Sequence, residues 1–185
     1  MEKTNQALLV MDMQMGIIAS LSNLPALLTN IKRAIDTARD QKIPVIYITV
    51  AFRPGSPEIS SHNSFFSSSK TRFDSIGFSD IHPDLEPNKG EYIVHKKRFS
   101  AFTGSDLEVL LRGLQVNHIV LTGVSTGGVV LSTTREAADK DFEITILSDC
   151  CTDPDDEVHS VLMKKVFPRQ SKVITIDQWC IAQID

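Results

Sequence analysis

Six short strand-like runs recur along the chain, and amphipathic stretches separate most of them. The runs are 7–11 (ALLVM), 44–50 (PVIYITV), 91–95 (EYIVH), 118–122 (HIVLT), 142–148 and 172–176. The first two and the fourth are apolar at nearly every position rather than at alternate ones. A strand of that kind is buried on both faces, which requires helices above and below the sheet. The intervening stretches supply them. Leu21, Leu24, Leu27, Leu28, Ile31, Ala34, Ile35 and Ala38 fall on one helical face. Thr103-Gly104-Ser105-Asp106 has the form of a capping box and opens a helix carrying Leu107, Leu110, Leu111 and Leu114. Residues 129–140 read as a further helix. Another starts at the acidic Pro154-Asp155-Asp156-Glu157 and continues through Val158, Val161, Leu162 and Val166. The fold class predicted is α/β, with three α/β/α layers around a six-stranded parallel sheet.

No internal repeat and no linker divides the chain, so residues 1–185 are expected to form one domain. Hydrophobic residues are 42% and charged residues 23%, a globular balance, and the net charge is −4. Phosphate binding needs a concentrated basic face, so no nucleic-acid partner is expected. No stretch approaches the ~20 apolar residues of a membrane helix, and the first apolar run is too short for a signal peptide. The expected address is the cytoplasm, with no membrane partner. The three cysteines, Cys150, Cys151 and Cys180, make no disulfide framework and no zinc spacing. On a strand, the adjacent Cys150 and Cys151 would point to opposite faces.

Residues 52–87 form the one long irregular segment, rich in Ser, Gly and Pro, with Phe65, Phe66, Phe73 and Phe78 embedded. Long loops in compact domains are functional covers or disordered segments, and the phenylalanines argue against disorder. They fit three roles: covering a pocket, packing against a second copy, or anchoring the loop to its own core.

In open parallel sheets, ligands bind beyond the carboxyl ends of the strands, where the strand order reverses. Asp12-Met13-Gln14 follows the first run, and Phe52-Arg53-Pro54-Gly55 the second. Lys96-Lys97-Arg98 follows the third, and Gly123–Gly128 the fourth. A carboxylate at the end of an apolar strand is partly desolvated, which moves its pKa towards one useful in proton transfer. Asp12 fits that role and equally fits a structural helix cap. Lys96 fits an electrostatic partner of Asp12 or a solvated basic patch. Backbone N–H groups in the small-residue turn 123–128 fit an oxyanion site. No histidine is visibly placed to activate Ser125 or Thr126, and His62, His82, His118 and His159 read as surface or satisfied residues.

Three motifs, in order and each at a strand end, resemble the isochorismatase-like (cysteine hydrolase) family. They are Leu8-Leu9-Val10-Met11-Asp12-Met13-Gln14, Lys96-Lys97-Arg98-Phe99-Ser100-Ala101-Phe102 and Gly123-Val124-Ser125-Thr126-Gly127-Gly128-Val129-Val130. The resemblance implies the strand order 3-2-1-4-5-6 and a cis peptide bond between Val124 and Ser125. It implies a catalytic set in which Asp12 is the acid-base group, Lys96 its partner and position 129 the nucleophile. Here that position is Val129, so thioester chemistry is excluded. Isochorismatases proper also lack the cysteine, usually with glycine there, and cleave a vinyl ether by protonation and water attack. The resemblance therefore implies a cysteine-independent hydrolase of a small metabolite. The alternative is a catalytically inactive member that binds a metabolite or a protein. Ser125, Val129, Gln14, Gly128 and Phe52 are the expected oxyanion and substrate contacts. Metal-binding relatives carry Asp-x-His after the second strand, whereas this chain reads Ala51-Phe52-Arg53-Pro54. No metal and no cofactor are expected. Homo-oligomerisation is implied by the resemblance, and Cys150 is a remote candidate for a substitute thiol.

Overall fold

The computed structural model describes residues 5–183. In chain order the elements are β1 (Gln6–Met11), α1 (Met15–Ile18), α2 (Leu24–Asp40), β2 (Val45–Val50), α3 (Ser64–Ser68), α4 (Lys70–Phe73), β3 (Tyr92–Lys96), α5 (Leu107–Gly113), β4 (His118–Val124), α6 (Leu131–Asp139), β5 (Glu143–Thr152), α7 (Asp156–Val161), β6 (Lys172–Ile174) and α8 (Ile176–Ala182). The six strands form one sheet in the order β3-β2-β1-β4-β5-β6, and every neighbouring pair is parallel. Class and strand order are those expected.

The doubly apolar strands explain the layers. Along β1, Ala7, Leu9 and Met11 face one side, with Leu107 and Leu111 of α5, Ala137 of α6 and Leu162. Leu8 and Val10 face the other, against Leu27, Leu28, Ile31, Ala34, Ile35 and Ala38 of α2 and Trp179 of α8. Fully burying a Leu or Ile contributes about 1.5–3 kcal/mol, so packing of that face holds α2. Its Asn23 makes no side-chain cap bond. Among the described residues no helix is long and apolar enough to cross a membrane.

Several boundaries differ from the sequence reading, each with a local cause. Lys96 is the last residue of β3 rather than the first beyond it, because it still pairs with Val50 of β2. The fifth strand runs on to Thr152 and so contains both Cys150 and Cys151. Thr103 does not cap α5. Gly104 turns the chain at φ 73°, the Thr103 hydroxyl donates to Glu136 at 3.1 Å, and the helix starts at Leu107, whose N–H donates to Ser105 Oγ at 3.2 Å. The helix expected from residue 129 starts at Leu131, because Thr126–Val130 form a wider π-helical turn. The acidic start of α7 is as expected, with Asp155 accepting from the N–H groups of Glu157 and Val158. The long connection from 52 to 87 is ordered by α3, α4 and a 3-10 turn at Pro83–Leu85. Phe66 and Phe78 are buried against Val50, and an antiparallel bridge joins Ile81 to Gln14.

Gly123 marks the point where strand order reverses. It sits opposite Met11 at φ 125°, and a Cβ there would lie 2.0 Å from the Met11 carbonyl oxygen. Only glycine lets β4 approach the end of β1 so closely.

Candidate active site

Asp12 follows β1 with φ 56°, in the left-handed region. Lys96 ends β3, and β2 lies between the two strands. A long side chain is needed to cross that gap, and Lys96 Nζ meets Asp12 Oδ2 at 2.9 Å. The ammonium also donates to the carbonyls of Arg98 at 2.9 Å and Phe99 at 3.3 Å. Three acceptors thus match its three donors. Only 2% of Lys96 is exposed, so it is no part of a solvated basic patch.

Asp12 is equally enclosed. Its Oδ1 is buried with no hydrogen-bond partner, while Oδ2 is held by Lys96. Burial pushes the Asp12 carboxyl above the ordinary carboxylate range, and the Lys96 charge and hydrogen bond pull only partly against that. One oxygen is therefore tethered and the other is free to carry or take a proton. A helix cap would instead spend that oxygen on backbone N–H groups, and the N-cap of α1 is Gln14.

Beyond β4 the Val124–Ser125 peptide bond is cis, as the resemblance implied. The Ser125 carbonyl accepts from the N–H groups of Gly128 at 3.1 Å and Val130 at 3.2 Å. A Cβ on Gly128 would lie 2.6 Å from Ser125 Oγ, so glycine keeps this turn tight. Two contacts brace it from behind. Gly127 N–H donates to Asp153 at 2.7 Å, and Thr126 Oγ1 lies 2.8 Å from His159 Nδ1. Burial lowers the His159 pKa, against the pull of Asp153 and Asp156. His159 is thus a satisfied histidine, as read from the sequence, though its place against this turn was not foreseen. The partner comes from α7, 33 residues away, and no local pattern marks it. Thr126 is fully buried and lines no part of the cavity described next, so the pair supports the turn.

Asp12, Lys96, Ser125, Gly128 and Val129 share one cavity of about 270 Å³. Val129 presents an apolar side chain there, 1% exposed. Phe65, Phe66, Phe73, Phe78 and Phe99 also line it. The rings of the long connection do cover a pocket. Among the described residues no three His, Cys, Asp or Glu side chains cluster as metal ligands, and Asp12 alone of those types lines this cavity.

Two expected substrate contacts lie elsewhere. Gln14 is fully buried. Its Oε1 accepts from Val50 N–H at 2.7 Å and its Nε2 donates to the Val50 carbonyl at 3.1 Å, so it extends the β1–β2 seam instead of facing ligand. Phe52 backs the aromatic wall, with ring centroids 5.9 Å from Phe66 and 5.1 Å from Phe73. Cys150 faces the α2 layer and does not line the cavity either. A larger hollow of about 600 Å³, lined by Asn30, Asp149, Cys151, His159 and Lys164 among others, holds neither Asp12 nor Lys96.

Comparison with known proteins agrees with this architecture. Residues 6–178 match the model of the isochorismatase domain. The chain is 27% identical over 173 residues to the isochorismatase family protein YwoC of Bacillus subtilis, covering 94% of this chain and 91% of that protein. It is 28% identical over 168 residues to the ureidoacrylate amidohydrolase RutB of Yersinia enterocolitica, covering 77% and 73%. An isochorismatase family protein from Burkholderia thailandensis superposes with a TM-score of 0.86 at 24% identity, covering 98% of this chain and 96% of that one.

Proposed function

The chain belongs to the isochorismatase domain family, and from that premise we propose that it hydrolyses a small metabolite with the Asp12–Lys96 pair and no cysteine nucleophile. The observation that carries this reading is the asymmetry of Asp12. Oδ2 is fixed by Lys96, Oδ1 is buried and unpartnered at the cavity, and burial raises the carboxyl pKa. Such a group holds a proton at pH values where an exposed aspartate has lost it, and it can deliver that proton to a bound substrate.

Val129 decides which hydrolyses are open. A similar protein is named an amidohydrolase, but a valine side chain forms no thioester, so acyl transfer to residue 129 is closed. Vinyl-ether cleavage needs no protein nucleophile. Asp12 gives its proton to the terminal vinyl carbon, leaving an oxocarbenium ion. Water adds to that cation and returns a proton to the Asp12 carboxylate. The resulting hemiketal collapses to a carbonyl compound and an alcohol, with the proton of its hydroxyl passing to the departing oxygen. Lys96 holds the carboxylate in place throughout. The backbone of the turn at Ser125–Val129 would polarise a substrate oxygen.

The test is a hydrolysis screen of small metabolites, run on the wild-type chain and on Asp12→Asn. Turnover that vanishes in the variant is expected. The competing reading, a non-catalytic binding member, draws on the apolar Val129 at the nucleophile position. It gains if a compound raises Tm while no compound in the screen is hydrolysed.

A further inference from the structure

At its carboxyl end β5 outruns its outer neighbour. Ile174 of β6 pairs with Leu147, and β5 continues to Thr152, so Ser148 to Thr152 have no strand beside them on that side. The hollow of about 600 Å³ lies against this stretch, between α2 and the segment that begins with α7. Its size is within the ~300–1,000 Å³ of small-molecule sites. It shares no lining residue with the cavity of Asp12 and Lys96. Leu27, Cys151, Thr152 and Met163 are its buried parts.

The polar groups on the α2 and β5 side have spent their donors on the protein. Asn30 Nδ2 donates to the Asp149 carbonyl at 2.9 Å, and Asn23 Nδ2 donates to Thr152 Oγ1 at 2.9 Å. The Ser148 hydroxyl donates to the Ile174 carbonyl at 3.2 Å, and Asp149 Oδ1 accepts from the Ile176 N–H at 2.8 Å. Acceptors remain: the side-chain oxygens of Asn23 and Asn30, and Oδ2 of Asp149. The lining also holds two carboxylates, Asp149 and Asp156, against one ammonium, Lys164. Among the described residues none of the three forms an ion pair. Lys164 is exposed, so its charge stays in water. A negative hollow lined with acceptors suits a ligand that brings donors and positive charge together. A primary ammonium brings three N–H donors for three oxygens.

One side chain of this lining also reaches the turn beyond β4. His159 Nδ1 lies 2.8 Å from Thr126 Oγ1, and α7 packs on the next residue, where a Cβ on Gly127 would lie 3.1 Å from Val158. A ligand against His159 therefore acts on the element that holds residues 125–129 in place. We propose that the hollow binds a small organic ammonium compound, and that His159 carries its presence to that turn. The site is separate from the Asp12–Lys96 pair and does not depend on what that pair does.

The experiment is NMR titration of the full chain with three probes of similar size: butylammonium, butanol and butyrate. Butylammonium is expected to bind saturably and to move the side-chain amides of Asn23 and Asn30, and the other two are not. Asp149→Asn should weaken it roughly 10- to 100-fold, as loss of a charge-assisted hydrogen bond does. Lys164→Ala, a surface change that leaves the fold intact, should strengthen it by up to about threefold by removing the like charge. In the wild-type chain the backbone amides of Gly127 and Gly128 should shift along the same saturation curve. In Thr126→Val, which removes the hydroxyl on His159, the ligand should still bind while those two shifts vanish. Butanol or butyrate matching butylammonium would overturn the site, as would indifference to both Asp149→Asn and Lys164→Ala, or no saturable binding at all. Binding that leaves Gly127 and Gly128 unmoved would overturn the role of His159.

Discussion

The ends of β1 and β5 flank β4 in this sheet, and the same burial has opposite consequences for the acids they carry. At the β1–β4 junction it raises the pKa of Asp12. At the end of β5 it raises those of Cys150 and Cys151, the latter to about 12. The force is the same, since a charged form is disfavoured in a dry environment. The consequence depends on where each group starts. A carboxyl lifted from below the working pH becomes a usable acid. A thiol lifted from above it moves further from its reactive thiolate. Only the carboxyl also carries an unpartnered oxygen and a fixed cation, on the cavity that Val129 shares. A buried ionisable group therefore signals chemistry by the direction in which burial moves it relative to neutrality, and by whether it faces a cavity.

The largest expected effect is at Asp12. Asp12→Asn should lower kcat by about 10²–10⁴-fold, the range for a lost general acid, in a steady-state assay of any substrate from the screen. Comparable turnover by the variant would remove the carboxyl from the mechanism.

The thiols can be moved to the other side of the comparison. In native protein, Cys150 and Cys151 should resist iodoacetamide, and mass spectrometry should find them alkylated only after unfolding. Val129→Cys places a thiol on the cavity that Lys96 also lines, and that position should be alkylated in the native state. Equal protection of all three would mean that the cavity does not admit reagent.

A third test concerns Gln14, which sits next to the site without serving it. Gln14→Leu leaves the buried N–H and carbonyl of Val50 unpaired, at a cost of about 2–4 kcal/mol. Urea unfolding should show that loss. A variant of wild-type stability with weakened substrate binding would return Gln14 to the list of ligand contacts.

The smallest effects are in pH dependence, and they differ between the two regions. Asp12 has a folded pKa above its unfolded value. Its contribution to stability is complete below the unfolded value of about 4 and is lost as pH rises through the folded one. Activity that needs the protonated acid should fall over the same rise. The cysteines follow the same sign in an alkaline window. Above about pH 8.5 the unfolded thiols ionise while the folded ones stay protonated, so stability falls up to the folded values. The loss is roughly 1–2 kcal/mol per thiol by pH 10. Tm against pH should therefore fall less steeply above pH 8.5 for Cys150→Ala with Cys151→Ala, while kcat stays within about twofold of wild type. An unchanged alkaline slope would show that burial does not hold those thiols protonated.

Much of this was legible in the chain. Six strand-like runs marked the strands, the doubly apolar ones among them called for helices on both faces, and the three motifs at strand ends pointed to Asp12, Lys96 and Val129, which share one cavity. What stayed hidden depends on contacts between distant segments. Gln14 lies within a motif at a strand end, where ligand contacts and seam contacts look alike, and only its two bonds to Val50 separate them. Phe52 and Phe66 are both phenylalanines of one connection, yet one backs the wall and the other faces the cavity. The His159–Thr126 pair joins two elements with no shared periodicity. The late start of α6 follows from a wide turn that propensity does not encode.

The strand order also sets a timetable for the nascent chain. β1 occupies the centre of the sheet, between β2 and β4, but β4 is complete only at Val124. At a synthesis rate of ~5–20 residues per second, the first strand waits on the order of ten seconds for its second neighbour. Throughout that interval one edge of an apolar ribbon is unpaired, the condition under which emerging chains associate with one another. Leu8 to Met11, fully buried in the finished sheet, are the positions that this late closure leaves open longest.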